Sequence, residues 1–155
     1  MQELLLVVLG FLLAAVPLWF DRKRRLKGHF RAIRVELDLC KERAETFLTD
    51  QIQSPLYRMP LRAYEVGAPI LLTENALSEA EYKNLAKFYA QAEDINRGLN
   101  YAASALDDPD RLRLEVSRLV LKASRLVRSS DRETSLYDCA KETIDHKISI
   151  QWWKY

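Results

Sequence analysis

Glycine, proline and cysteine are scarce in this chain. Its 155 residues include four glycines, five prolines and two cysteines. So few turn-forming residues favour long helices over a turn-rich β fold. Cys40 and Cys139 are too few for a disulfide framework, and both are predicted to be reduced. Because hydrophobic residues make up 48% of the chain, a packed core is feasible, and the composition predicts one all-α domain of ordinary size.

The sequence also lacks motifs for catalysis and for cofactor or metal binding. It has no glycine-rich phosphate loop, and neither cysteine has a Cys-x-x-Cys or Cys–His context. His146 follows Glu142 and Asp138 on one helical face, but carboxylate-bridged metal bundles repeat Glu-x-x-His on two helices. We therefore predict no catalytic residue, no cofactor and no metal site. An anchored enzyme or metal protein of unknown reaction is kept as the least favoured alternative.

A long run without charge lies near the N-terminal end of the chain. Residues 4–20 read LLLVVLGFLLAAVPLWF. At about 1.5 Å per helical residue, this run spans roughly 25 Å, the short end for a bilayer core of about 30 Å. A cleaved signal peptide is the alternative, but it requires a basic segment before the apolar run, and this chain begins MQE. We predict that residues 1–21 form a transmembrane anchor.

A basic cluster follows the apolar run. Residues 21–34 carry seven Lys/Arg against one Asp, a net charge of +6. By the positive-inside rule this predicts a single-pass protein of the inner membrane, with the N-terminus outside and residues 22–155 forming a cytoplasmic helical domain. The cluster either only sets this topology or also binds anionic lipid. Since the basic excess is local, no nucleic-acid binding is predicted. The predicted membrane-interface residues are Trp19, Arg22, Lys23, Arg24, Arg25 and Lys27.

Two heptad seams predict two long helices at about 22–53 and 78–106. Together they favour either an antiparallel helical hairpin or two members of a four-helix bundle. Asn96 falls on the second seam, where it either fixes helix register or hydrogen-bonds a backbone group. The first seam is Leu26, Phe30, Ile33, Leu37, Cys40, Ala44 and Phe47, and the second is Tyr82, Leu85, Tyr89, Ala92, Asn96, Leu99, Ala103 and Leu106.

Residues 54–77 are predicted to be a connector between these helices. The segment contains Pro55, Pro60, Gly67 and Pro69, but it is also rich in apolar and aromatic residues. It is predicted to pack over helix ends, with one short helix at 60–66. The alternative is an exposed partner-binding patch.

Residues 4–106 resemble uncharacterised bacterial single-span membrane proteins that have a cytoplasmic helical domain. Those proteins combine a short N-terminal span, a long helix, a proline-containing connector and a Tyr…Glu…Ile-Asn helix. The matching residues here are Tyr89, Glu93, Ile95 and Asn96. The resemblance implies no activity and no site residues.

Two further helices are predicted at about 109–128 and 131–147. The first begins at the N-cap Asp108, and its basic face is expected to complement acidic helices of this or a neighbouring chain. Binding to an anionic membrane surface is the second reading. The aromatic C-terminal tail either folds onto the bundle or binds a membrane interface or partner. The candidate partner-binding residues are Arg111, Arg118, Lys122, Arg125, Trp152 and Trp153.

Together these features predict a non-catalytic, membrane-anchored interaction, assembly or accessory subunit. Its expected partners are membrane lipid and another membrane-associated protein. A homo-oligomer is possible but not favoured, because small or polar residues weaken both seams as self-sufficient zippers. These are Cys40, Ala44 and Gln51 in the first seam, and Asn96 and two alanines in the second. The main alternative is an inner-membrane sensor or lipid-surface module.

Overall fold

The computed structural model describes residues 2–50, 58–129 and 134–149, and within the first range the side chains of residue 10 and residues 15–49. The described residues form five α-helices and no strand, which confirms the predicted all-α class. The helices are α1 (Gln2–Asp50), α2 (Arg62–Thr73), α3 (Glu79–Ser104), α4 (Pro109–Val127) and α5 (Leu136–Ser149).

The predicted anchor forms the first part of α1, which continues without a break into the bundle. Among the described residues, no helix combines the length and the apolar character that a membrane crossing requires. Most side chains of the apolar run, residues 4–9 and 11–14, lie outside the described set. The transmembrane anchor therefore stays a prediction.

Side-chain caps fix the starts of three helices. The Ser78 hydroxyl accepts a hydrogen bond from the Glu81 N–H at 3.3 Å, and the Ser78 N–H donates to the Glu81 carboxylate at 2.7 Å. These two bonds form a capping box at the start of α3. Asp108 accepts from the Arg111 N–H at 3.1 Å and caps α4, as predicted. The predicted start of α5 at about 131 lies outside the described residues. In the structure α5 begins at Leu136, where Ser135 accepts a hydrogen bond from the Asp138 N–H at 3.0 Å.

The predicted connector contains α2, which carries the chain back along α1. The N–H groups of Ala63 and Tyr64, at the start of α2, donate to the Glu36 carboxylate at 2.7 and 2.9 Å. Just past the end of α2, Glu74 forms an ion pair with Arg22. Because the contacted position on α1 falls from 36 to 22 as α2 advances, α2 is antiparallel to α1.

Because α2 reverses the direction of the chain, α1 and α3 run parallel. The predicted antiparallel hairpin of these two helices is therefore wrong. Tyr64, whose N–H is bound by Glu36, stacks on Tyr89 of α3 at 4.0 Å between ring centroids. Farther along, Asn96 of α3 bonds Met59, whose neighbour Pro60 accepts a hydrogen bond from Cys40. Residues 89 and 96 of α3 therefore match residues 36 and 40 of α1 in the same order. A direct turn from α1 to α3 would make them antiparallel. Because α2 lies between them and already reverses the chain, α3 returns to the direction of α1.

Helices α4 and α5 complete the bundle and run opposite to both long helices. Lys122 of α4 pairs with Asp94 of α3 at 2.8 Å, and a Cβ on Gly98 would meet Leu119, so α4 is antiparallel to α3. On α5, Asp145 pairs with Arg34 at 2.6 Å and Tyr137 donates to Asp38 at 2.5 Å. The backbones of α1 and α3 approach α4 and α5 more extensively than they approach each other. This is the predicted bundle, with α1 and α3 on a diagonal.

Both heptad seams face the core, but the second ends differently from its prediction. The first seam is buried from Phe30 to Phe47. In the second seam, Ala103 and Leu106 are exposed, and Ala102 and Ala105 are buried instead. The buried side of α3 is therefore displaced by one residue at its C-terminal end.

Candidate functional site

A groove lies beside α1 where the apolar run ends. Its volume is about 260 Å³. Its apolar surface comes from Trp19, Leu26 and Phe30 of α1, Ala76 of the α2–α3 turn and Ile148 of α5. Its basic rim comes from Arg22, Lys23 and Lys27 of α1 and Lys147 of α5. We call this concavity the α1 groove.

The walls of the α1 groove are held in place by local structure. After α2, Asn75 adopts a left-handed conformation with φ of 54°, which asparagine tolerates well, and the turn places Glu74 and Ala76 against α1. At the end of α5, Lys147 pairs with Glu81 at 2.9 Å. Burial of Glu81 raises the pKa of its carboxyl, but hydrogen bonds from Ser78 and Lys147 outweigh burial, so the net pKa lies below its usual value.

Four of the six predicted membrane-interface residues meet in this groove. Lys23 lies over the ring of Trp19 at 3.8 Å from its centroid, a cation–π contact, and Arg22 forms an ion pair with Glu74. Lys27 is half-buried at the rim.

The other two predicted interface residues, Arg24 and Arg25, are exposed and do not line the α1 groove. Arg24 lies on a neighbouring face of α1 with Phe20 and Arg31. The junction therefore has two basic sides, and Arg24 and Arg25 do not contribute to the α1 groove.

A second surface lies on α4. Leu114 and Leu121 are 51% and 56% exposed, and Arg118 and Arg125 are exposed between and beyond them. The four residues are spaced 4, 3 and 4, so they share one side of the helix, opposite the buried Leu119, Ala123 and Leu126. We call Leu114, Arg118, Leu121 and Arg125 the α4 outer face.

The α4 outer face only partly coincides with the predicted basic face. Lys122 is half-buried and pairs with Asp94, so it complements a carboxylate on α3 of its own chain. Arg111 is exposed at the start of α4, nearer the side that Lys122 occupies. Arg118 pairs with Glu115 within α4 at 2.8 Å. Sequence reasoning missed Leu114 and Leu121, although their heptad spacing with the arginines was visible.

The remaining candidate partner-binding residues, Trp152 and Trp153, lie outside the described residues. Their predicted docking, on the bundle, a membrane or a partner, stays a prediction.

The reactive side chains of the core are engaged in packing. Cys40 is buried, and its thiol donates to the Pro60 carbonyl at 3.3 Å. Burial, with the nearby Glu36 charge, raises the pKa of this thiol to about 12, so the thiolate needed for nucleophilic attack is disfavoured. Cys139 is also a free thiol. Within residues 2–50, 58–129 and 134–149, no group of three or more His, Cys, Asp or Glu side chains is arranged to hold a metal ion.

Comparison with known proteins gives no further assignment: no family model matches the chain, and neither a curated protein nor a solved structure is significantly similar to it.

Proposed function

We propose that this protein is a non-catalytic, membrane-anchored subunit that binds another membrane-associated protein through the α4 outer face. The observation that carries the proposal is the exposure of Leu114 and Leu121, which alternate with Arg118 and Arg125 on a helix whose other side is buried. Burying a leucine side chain contributes about 1.5–3 kcal/mol, a gain that the chain alone leaves unused at both positions. The residue spacing suits contact with a second helix.

The chemistry of the α4 outer face specifies its partner. A matching helix would present apolar residues against Leu114 and Leu121 and carboxylates against Arg118 and Arg125. A second copy anchored in the same membrane would present this face in parallel and bring arginines against arginines, which disfavours a homo-oligomer built on it. The expected partner is therefore a different protein with an acidic amphipathic helix.

The direction of α4 favours a protein partner over a bilayer at this face. Helix α4 lies alongside α1 in the bundle. If α1 is anchored across the membrane, α4 extends away from the bilayer, which then reaches only one end of α4. Helices that bind a membrane surface lie in its plane instead.

The anchoring part of the proposal rests on the N-terminal region of α1. Residues 4–20 carry no charge, and four large apolar side chains before the bundle, Val16, Leu18, Trp19 and Phe20, are exposed. The basic residues that follow favour an inner-membrane, single-pass protein with its bundle in the cytoplasm and lipid as a second partner. An aromatic pair before a basic cluster is typical of a membrane–water interface.

Quantitative copurification from a mild detergent tests the proposal. The full-length chain is compared with Leu114→Ser/Leu121→Ser, which removes the apolar part of the α4 outer face. The matched control is Val66→Ser/Ile70→Ser, which changes two exposed apolar residues on α2. Helix α2 packs mainly against α1 and α3, so the control alters a different side of the bundle.

The α4 variant should lose one membrane-fraction protein by about tenfold or more, as expected when two buried leucines are removed from an interface. The control should retain that protein. Retention by the α4 variant with loss from the control would move the interface to α2 and refute the proposed site.

A further inference from the structure

We propose that the α1 groove binds a long-chain fatty-acid anion drawn from the adjacent membrane. The inference rests on the proposed function in one respect, because membrane anchoring is what places the groove at a source of fatty acid. At one end of the bundle, the groove has an apolar floor and a cationic rim. A single-chain anionic amphiphile is complementary, because its acyl chain matches the floor and its anionic head matches the rim.

Charge favours an anionic head. The rim carries Arg22, Lys23, Lys27 and Lys147, four cations, against one lining carboxylate, Glu74, for a net charge of +3. Some of this charge is already engaged, since Arg22 pairs with Glu74 and Lys147 with Glu81. An entering carboxylate would share these cations, and each Lys or Arg near a lipid surface contributes about 1 kcal/mol toward an anion.

Size and surface favour a single acyl chain. The volume of about 260 Å³ lies below the roughly 300–1,000 Å³ of typical small-molecule sites, so it suits part of one chain and not a two-chain lipid. Leu26, Phe30 and Ile148 provide aliphatic and aromatic surface along the groove. Trp19 stands at the end nearer the apolar run, where a chain leaving the bilayer would enter.

Photolabelling of the full-length protein in neutral detergent micelles tests this proposal. The probe is palmitate that carries a diazirine in mid-chain, and the labelled peptides are mapped by mass spectrometry. In the wild type, label should appear on the segment 26–30 and at Ile148. Unlabelled palmitate should compete at least about fivefold better than hexadecanol, which has the same chain without the charge that the basic rim attracts.

Two charge variants with equal loss of charge make the test specific. Arg22→Gln/Lys23→Gln removes cations that line the α1 groove, and Arg24→Gln/Arg25→Gln removes adjacent cations that do not. The first should lower groove labelling about tenfold and the second less than about twofold. Circular dichroism should show equal helicity for both.

Label confined to residues 4–20, equal competition by hexadecanol, or equal loss in the two variants would overturn the proposal. The wild-type map decides the outcome even if a variant folds poorly. Because the assay uses micelles and leaves α4 unchanged, its failure is separate from failure of the α4 copurification experiment.

Discussion

Asn96 of α3 forms two hydrogen bonds with the backbone of Met59. The Met59 N–H donates to Asn96 Oδ1 at 2.7 Å, and Asn96 Nδ2 donates to the Met59 carbonyl at 2.9 Å. The sequence left two roles open for Asn96, and the structure shows the second, a hydrogen bond to a backbone group. These bonds connect the segment before α2 to the middle of α3. The amide is therefore part of what lets α2 reverse the chain.

Asn96→Ala should destabilise the protein, because it leaves the part-buried N–H and C=O of Met59 without their partner. An unsatisfied buried polar group costs about 1–3 kcal/mol. The melting temperature of the full chain in detergent should fall by roughly 3–10 °C. Asn100→Ala, which removes an exposed amide bonded to Arg58, is the control and should change it little. Equal shifts would mean that the Met59 contact adds no stability.

Two glycine-to-alanine changes should act in opposite directions. A Cβ at Gly28 has no neighbour within 4 Å, so Gly28→Ala should stabilise α1 by about 0.5–1 kcal/mol. A Cβ at Gly98 would lie 2.5 Å from Leu119 Cδ2, and Leu119 is buried in the core. Overpacking of this kind costs about 1–3 kcal/mol. Thermal melts should shift up for the first and down for the second; a rise for both would refute the close α3–α4 packing.

Asp38 should make stability sensitive to acid. Burial raises the pKa of its carboxyl, but hydrogen bonds from Arg34 and Tyr137 outweigh burial and leave the pKa below its usual value. A carboxyl with a lowered folded pKa contributes stability above its unfolded pKa, and this stability is lost as the pH falls through the folded pKa. Asp38→Asn should therefore reduce the fall in melting temperature between about pH 5 and pH 3.

The control for that experiment is Asp107→Asn, which changes an exposed carboxyl outside the cluster. Its melting temperature should follow the wild-type pH dependence. An unchanged acid response in Asp38→Asn would show that the Arg34–Asp38–Tyr137 contacts do not contribute to stability.

The predicted topology can be tested with reporters fused after Tyr155. A reporter active only outside the inner membrane should be silent, and one active in the cytoplasm should give signal. The reason is that the basic cluster keeps the C-terminal side of the predicted span in the cytoplasm. Neutralising Arg22, Lys23, Arg24, Arg25 and Lys27 to Gln should weaken this bias. Strong signal from the outside reporter on the wild-type chain would refute the cytoplasmic location of the bundle.

Sequence patterns predicted the helices better than their arrangement. Heptad spacing and local caps determine where α3 and α4 begin, and these are short-range features. The path between α1 and α3 depends instead on Glu36 capping α2 from 27 residues away in sequence, and on Asn96 reaching Met59. Such long-range contacts leave no periodic signal. The presence of Pro60, Gly67 and Pro69 favoured a connector. In the structure, however, Gly67 and Pro69 both lie within α2, and Gly67 packs against Ile33.

For the candidate surfaces too, the sequence predicted local features but not which residues the fold brings together. Charge asymmetry predicted the membrane-interface residues on α1, but only the fold shows that Arg22 and Lys23 line the α1 groove and that Arg24 and Arg25 do not. On α4, charge alone grouped Lys122 with the outer arginines. The pairing of Lys122 with Asp94 removes it from that face, and the exposed leucines give the face its apolar component.

The most direct test of the proposed partner contact is photocrosslinking in intact cells with a benzophenone amino acid at position 121. If the α4 outer face binds a different protein, crosslinking should give one adduct larger than the chain that contains a membrane-fraction protein. Adding Arg118→Glu/Arg125→Glu should abolish the adduct, and the same label at Val66 should not form it. An adduct of two copies of this chain, or an adduct that survives charge reversal, would contradict the account.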